Sequence, residues 1–226
     1  MRELSILYED RQVVAVDKPA GLATQGGSGV AESLEDWLAV RARPGRKVRL
    51  VHRLDRDTTG VLLAAKTQPA AAFLSEAFAQ RRMEKTYLAI VCGGAPVPAD
   101  GLIAASLVKT SGRVDLMRVA RAEEAGLSAR TRFRTLASGE GAALLELAPE
   151  TGRMHQLRAH LAHIGRPIAG DGKYGGLFRI GGLPVARLML HAWRLNGPHP
   201  DGTALALEAA PPADFAGLAG ELGLRL

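Results

Sequence analysis

RLVHRLDRDTTGVLLAAK, residues 49–66, is the stretch on which the reading of this chain turns. It opens basic, crosses one carboxylate at Asp55 and reaches Gly60 ahead of an apolar run at residues 61–65. A short apolar run bounded by Gly60 and Lys66 reads as a buried strand. Thr58, Thr59 and Gly60 read as the turn leading into it. Asp55 is thereby placed on a loop held against a rigid strand, where reactive side chains are often presented. Arg53 and Arg56 flank it, and cations close to a carboxylate hold it ionised. On these residues alone two readings stand. Asp55 forms a surface ion pair in a basic loop, which contributes little, or it is a reactive carboxylate.

Working outward, residues 4–8 and 13–16 read as two short strands joined by a polar turn. DKPAGLATQGGSG, residues 17–29, holds Pro19 and four glycines, so no regular element fits there. No GK[ST] closes it, which argues against a P-loop. It is either a flexible connector or a loop over a site. Residues 31–43 have a helical pattern, with Leu34, Trp37 and Leu38 on one face and Pro44-Gly45 as the stop. Residues 41–56 carry seven Lys or Arg and one acid, Asp55 itself. Such a run is a solvated face or a positive track that leads a nucleic acid to a reactive residue.

Residues 67–82 predict the clearest helix. Thr67 caps it, Pro69 falls in its first turn, and Phe73, Leu74, Ala77 and Phe78 form its buried stripe. Arg81, Arg82 and Lys85 close it in positive charge, which suits the helix dipole. Residues 85–92, KTYLAIVC, read as a strand, with Tyr87 by default a core aromatic. Residues 102–149 contain several strand-like runs. In residues 129–135, Arg130, Arg132 and Arg134 share one face, to grip phosphates or simply to meet solvent. Residues 154–164 are helical in pattern, with Leu157, Leu161 and Ile164 apolar. His155, His160 and His163 are not four apart and HExxH is absent, so no metal is expected. Glycines around Asp171 and Tyr174 mark a tight loop, and Asp201-Gly202 turns a hairpin near residues 188–208. Many hairpin-linked strands with few helices predict an α+β fold.

At 226 residues the chain makes one large domain or two small lobes, with enough core for either. A net charge of +6 favours a polyanionic partner. Cys92 is the sole cysteine, so neither an internal disulfide nor a CxxC metal site is available, which suits a reducing cytoplasm. The acidic, polar start is not a signal peptide, and no stretch approaches the ~20 apolar residues of a membrane span.

HRLD followed by R-D-T-T-G closely resembles the signature of the RluA family of pseudouridine synthases. Three further blocks agree in order. DKPAG is similar to that family's NKP-x-G, KTYLAIVC to K-x-Y-x-A-x-V, and TGRMHQLRAH with GRPIAGDGKYG to TGR-x-HQ-[IL]-R-x-H followed by G-x-PI-x-GD-x-x-YG. LHA at residues 190–192 also matches, and QGGSG looks most like the branch that modifies large-subunit ribosomal RNA. The resemblance spans about residues 5–215.

It implies isomerisation of uridines in structured RNA, ribosomal RNA first and transfer RNA second, by a cytoplasmic monomer without cofactor, metal or membrane. Asp55 would be catalytic, as a nucleophile on the sugar or as a base at the ribose 2′ position. Arg158 would pair with it, since a guanidinium fork can orient and ionise a carboxylate. Tyr87 would lie against the target base, and Arg53 would enter the space the flipped base leaves. The implied fold is a mixed, largely antiparallel central sheet with flanking helices and the active site in its cleft. Residues 1–226 would form a single catalytic domain, without the small N-terminal RNA-binding domain many relatives carry. Two rivals are a non-catalytic RNA-binding or ribosome-assembly protein that keeps the fold, and an aspartic protease. DTTG at residues 57–60 has one Thr too many for the protease signature and no second copy.

Overall fold

Strands dominate, as the many short, hairpin-linked runs predict. In chain order they are β1 (Ser5–Glu9), β2 (Val13–Lys18), β3 (Arg49–Leu50), β4 (Thr59–Ala65), β5 (Glu84–Cys92), β6 (Asp100–Ala104) and β7 (Leu107–Lys109). Then follow β8 (Met117–Val119), β9 (Arg130–Gly139), β10 (Ala142–Pro149), β11 (Arg179–Ile180), β12 (Leu183–Pro184), β13 (Leu190–Pro198) and β14 (Ala204–Glu208). The helices are α1 (Leu34–Arg41), α2 (Gln68–Ala79), α3 (Gln156–His163) and α4 (Ala213–Glu221). The computed structural model describes residues 3–27, 29–42, 47–110 and 116–225. They fall into two units, Met1–Lys85 with His191–Ala210, and Thr86–Leu190 with Pro211–Leu226. Among the described residues no helix is long and apolar enough to cross a membrane.

In the first unit β1 pairs β2 antiparallel, β2 pairs β4 antiparallel with Val13 opposite Ala65, and β14 pairs β13 antiparallel. β4 and β13 run parallel, His191 opposite Thr59 and Ala192 opposite Gly60. The sheet is therefore mixed and largely antiparallel, and the class is α+β. One face gathers Val13, Ala15, Val61, Leu63, Leu195 and Leu207 beneath Leu74 and Ala77 of α2. All seven residues of β4 are buried, which is why it reads as a continuous apolar run rather than an alternating one.

Local chemistry sets the helix ends. Thr67 caps α2, its hydroxyl accepting from Ala70 N–H, with a proline in the first turn. Ser33 and Asp36 form a reciprocal capping box on α1. Four expectations shift. Thr59 and Gly60 belong to β4 rather than to a turn. Gly60 has φ +106°, and a Cβ there would lie 2.1 Å from Ala192 O, so the parallel neighbour demands a glycine. The α2 helix ends at Ala79 with no basic residue in its last turn, because Arg81 adopts φ +59° and leaves the axis. The buried residues of α2 are Ala70, Ala71, Leu74 and Ala77, with Phe73 and Phe78 partly buried beside them. The α1 helix starts at Leu34, and Arg43, Pro44 and Gly45 lie outside the described residues.

In the second unit β10 lies between β5 and β9, and β6 continues from β9, all antiparallel. Leu88, Ile90, Leu144, Leu145 and Leu147 are fully buried. The α3 helix is buried from Gln156 to Leu161 on every side, polar residues included. It begins after His155 in a left-handed conformation and stops before Ile164.

Candidate active site

In the first unit the Asp55 loop bridges β3 and β4, and side chains from the 17–24 segment hold it. Lys18 ends β2 and is fully buried. Its Nζ donates to Pro19 O at 2.9 Å, Leu22 O at 2.8 Å and Arg56 O at 2.9 Å. A buried ammonium is costly unless acceptors replace its water, and here carbonyls from two loops do so. Thr24 Oγ1 donates to Leu54 O at 2.7 Å and accepts from Leu54 N at 3.2 Å. Arg56 turns its Nε to Gly21 O at 3.1 Å. Residues 18–24 are thus tied by hydrogen bonds to Leu54 and Arg56, on either side of Asp55.

His52 anchors the other side of this loop. Its Nε2 accepts from Leu63 N at 2.9 Å, and its ring stacks on Phe78 with centroids 4.7 Å apart. An accepting Nε2 requires a neutral ring. Burial and the nearby Lys85 charge agree, pushing the imidazole pKa down to about 3. Asp55 is half-buried between these anchors, its backbone carbonyl accepting from Thr58 N at 3.2 Å, and Arg53 is exposed. Behind them buried His191 binds Thr59 Oγ1 through Nδ1 and Ala209 O through Nε2, both at 2.9 Å.

In the second unit Tyr87 is half-buried on β5 opposite Leu147. Arg158 projects from α3 and grips Asp171 in a two-pronged pair, Nε to Oδ2 and Nη2 to Oδ1, each 2.7 Å. Arg158 is 8% exposed and Asp171 1%. Fork-to-fork pairing fixes the guanidinium plane as well as its position. The loop that presents Asp171 is set by glycines. A Cβ on Gly170 would lie 1.8 Å from Arg187 O, and one on Gly176 would lie 1.9 Å from Ile168 O. Tyr174 completes the cage, its ring 5.0 Å from the Arg158 guanidinium and its hydroxyl bound to Met117 N–H and His155 Nδ1.

The remaining polar groups of α3 are also satisfied. Gln156 Nε2 donates to Arg130 O and Thr131 Oγ1, while its Oε1 accepts from Thr151 Oγ1 and Arg153 N–H. His160 lies between Thr131 Oγ1 and Ala105 O, both at 2.9 Å, and burial pushes its pKa down. A neutral ring that accepts from Thr131 and donates to the carbonyl fits both contacts.

The three arginines of β9 do not form an unpaired row. Arg130 and Arg132 both pair with Glu150 at 2.7 Å, and Arg134 pairs with Glu146 at 3.1 Å. Among the described residues one cluster has a composition that suits a metal, namely Asp10, His199 and Asp201. The two carboxylates address opposite nitrogens of the same ring. Nδ1 lies 2.7 Å from Asp201, and Nε2 lies 3.1 Å from Asp10, off the line of a good hydrogen bond.

Of the residues the motifs nominate, Asp55 and Arg53 share one loop of the first unit, while Tyr87 and Arg158 stand on β5 and α3 of the second. Lys18, Thr24 and Asp171 were not nominated. Lys18 lies in DKPAG and Asp171 in GRPIAGDGKYG, yet residue type alone says nothing of an ammonium or carboxylate being fully buried.

A family model described as RNA pseudouridylate synthase matches residues 12–163. The chain is 37% identical over 214 residues to ribosomal large subunit pseudouridine synthase C of Pasteurella multocida, covering 92% of this chain and 64% of that protein. It is 37% identical over 216 residues to the protein of that name from Escherichia coli K12, covering 92% of this chain and 66% of the other. It thus spans just under two thirds of the length of these relatives. Among solved structures it superposes on human RNA pseudouridylate synthase domain containing 4 with a TM-score of 0.84 and 30% identity, over 98% of this chain and 94% of the other.

Proposed function

The chain belongs to the RNA pseudouridylate synthase family, and on that premise we propose that it converts uridine to pseudouridine within RNA. Relatives named for the ribosomal large subunit support ribosomal RNA as substrate; transfer RNA is the second proposed substrate and the cytoplasm the proposed setting. The observation that carries the reading is the anchored Asp55 loop. A half-buried carboxylate lies between Leu54 and Arg56, whose backbone groups are held by Thr24 and Lys18. A reactive group already fixed by its scaffold needs little rearrangement when substrate arrives.

The chemistry asks for little else. The C1′–N1 bond breaks, the uracil turns, and a C1′–C5 bond forms. Carbon 5 gives up its proton and N1 takes one, so substrate and product are isomers. Asp55 starts this either by adding to the sugar or by removing a proton at the ribose 2′ position. Deuterium at C2′ separates the two routes, because only the second breaks that C–H bond.

Arg158, already locked to Asp171, serves to orient the reactive carboxylate. Tyr87 stacks on the detached uracil and helps remove the C5 proton. Arg53, exposed beside Asp55, occupies the place the flipped base vacates. Unpaired loops are the natural targets because flipping costs least there.

The test is pseudouridine mapping in ribosomal and transfer RNA from cells carrying wild-type protein, Asp55→Asn, or neither. Loss of specific sites in the variant, with RNA binding retained, is expected. Full occupancy of those sites overturns the assignment of Asp55. Normal growth restored by an inactive Asp55→Asn chain would favour the assembly role instead.

A further inference from the structure

We infer that Leu177 and Phe178 form a fixed stacking platform for an unpaired base of the RNA substrate, with Lys173 and Arg179 receiving the flanking phosphates. This rests on the RNA-modifying reading above and adds a substrate contact in the second unit.

The five phenylalanines are not used alike. Phe215 and Phe133 are buried and Phe73 and Phe78 pack against a core cluster, whereas Phe178 is 54% exposed and its neighbour Leu177 53%. A lone exposed apolar residue is ordinary. Two adjacent ones on a backbone held at several points are less so. Leu177 N–H donates to Cys92 Sγ at 3.4 Å, and its carbonyl accepts from Gly170 N at 2.9 Å. The Phe178 carbonyl accepts from Val185 N at 2.9 Å. The Phe178 ring rests on Gly172, where a Cβ would meet ring carbons at 3.1 and 3.4 Å. Gly172 follows Asp171, so the same loop that locks Arg158 also sets this ring. The cost of ordering an aromatic surface is met before any ligand binds.

Charge selects the occupant. No Asp or Glu occurs between Asp171 and Asp201. Lys173 and Arg179, on either side of the pair, are exposed, and Arg179 commits one N–H to Gly182 O. Arg187 in the same stretch is neutralised by Asp214. An aromatic face between cations, without acids nearby in the chain, suits a base between two phosphates. Base–aromatic stacking tolerates any sequence, because every base has a π-face.

Binding of two labelled RNA hairpins tests this, one with an unpaired uridine-containing loop and one fully paired, with salt varied. Phe178→Ala is expected to weaken binding of the looped RNA about 5- to 150-fold, the size of one lost stack. Its salt slope should stay unchanged, and paired RNA should be affected little. Phe178→Trp should keep the affinity and gain emission that looped RNA quenches, measured against wild type. Lys173→Ala with Arg179→Ala should flatten the salt slope. Unchanged affinity in Phe178→Ala overturns the platform. If wild-type protein still binds and converts RNA in that case, the synthase reading survives. Wild-type protein that binds neither hairpin removes both. Self-association that Phe178→Ala abolishes would reassign the patch to a second copy of the chain and overturn the RNA contact.

Discussion

The α2 and α3 helices are built on opposite plans. The α2 helix buries Ala70, Ala71, Leu74 and Ala77 along one stripe and leaves its other faces partly or fully open to solvent. The α3 helix is shorter and buries Gln156, Arg158 and His160 together with Leu157, Ala159 and Leu161. Burying apolar area is stabilising in itself, at roughly 25 cal/mol per Å². Burying a guanidinium, an amide and an imidazole is not, and such groups roughly break even once paired. What α3 gains is direction, since each of those side chains is held by partners from β9, the segment before the helix or the Asp171 loop. The first helix packs its sheet and the second holds a cation in a fixed orientation.

The comparison breaks most readily at Arg158. Arg158→Ala leaves Asp171 buried with its cation removed, a loss of about 3–5 kcal/mol, and turnover should collapse with it. Arg158→Lys restores charge but not the fork, and should recover stability better than rate. Urea denaturation with single-turnover assays checks both. An alanine variant as stable as wild type would mean that the Arg158–Asp171 pair does not hold α3, and one with normal turnover that Arg158 orients nothing.

Leu74→Ala should cost about 2–5 kcal/mol through the cavity it leaves. Pseudouridine formed per folded molecule should stay at the wild-type level. A rate deficit beyond the folded fraction would give α2 a part in the chemistry. The next effect is a pH dependence through His52, which stacks on α2. Its pKa is about 3 in the folded chain against 6.5 for an unperturbed histidine. Between these values the unfolded chain binds the extra proton, so stability rises with pH across that window and is lost as pH falls through it. His52→Gln should flatten that dependence in denaturation series from pH 7 to pH 4, and an unaltered slope would place the acid sensitivity elsewhere. The smallest effect belongs to the cap, where Thr67→Ala should cost about 1 kcal/mol with no change in rate.

Much of this was legible residue by residue. Thr67 and Pro69 announce the start of α2, and the run at residues 61–65 announces β4. Elsewhere the local signal misled. Gly60 looks like a turn glycine, but it serves the close approach of β13 from more than 130 residues away. Arg130, Arg132 and Arg134 look like a phosphate grip, yet each has a glutamate from β10 or just beyond it.

By itself the sequence determined the main strands and the first three helices, the α+β class and the family, because periodicity, capping and motif spacing are properties of neighbours in the chain. The tertiary structure alone decided that Lys18 is buried under carbonyls, that Asp171 locks Arg158 and that Phe178 stays in the open. Whether a polar or aromatic side chain is stable in a given place depends on partners that folding brings from far along the chain, and no local pattern encodes them.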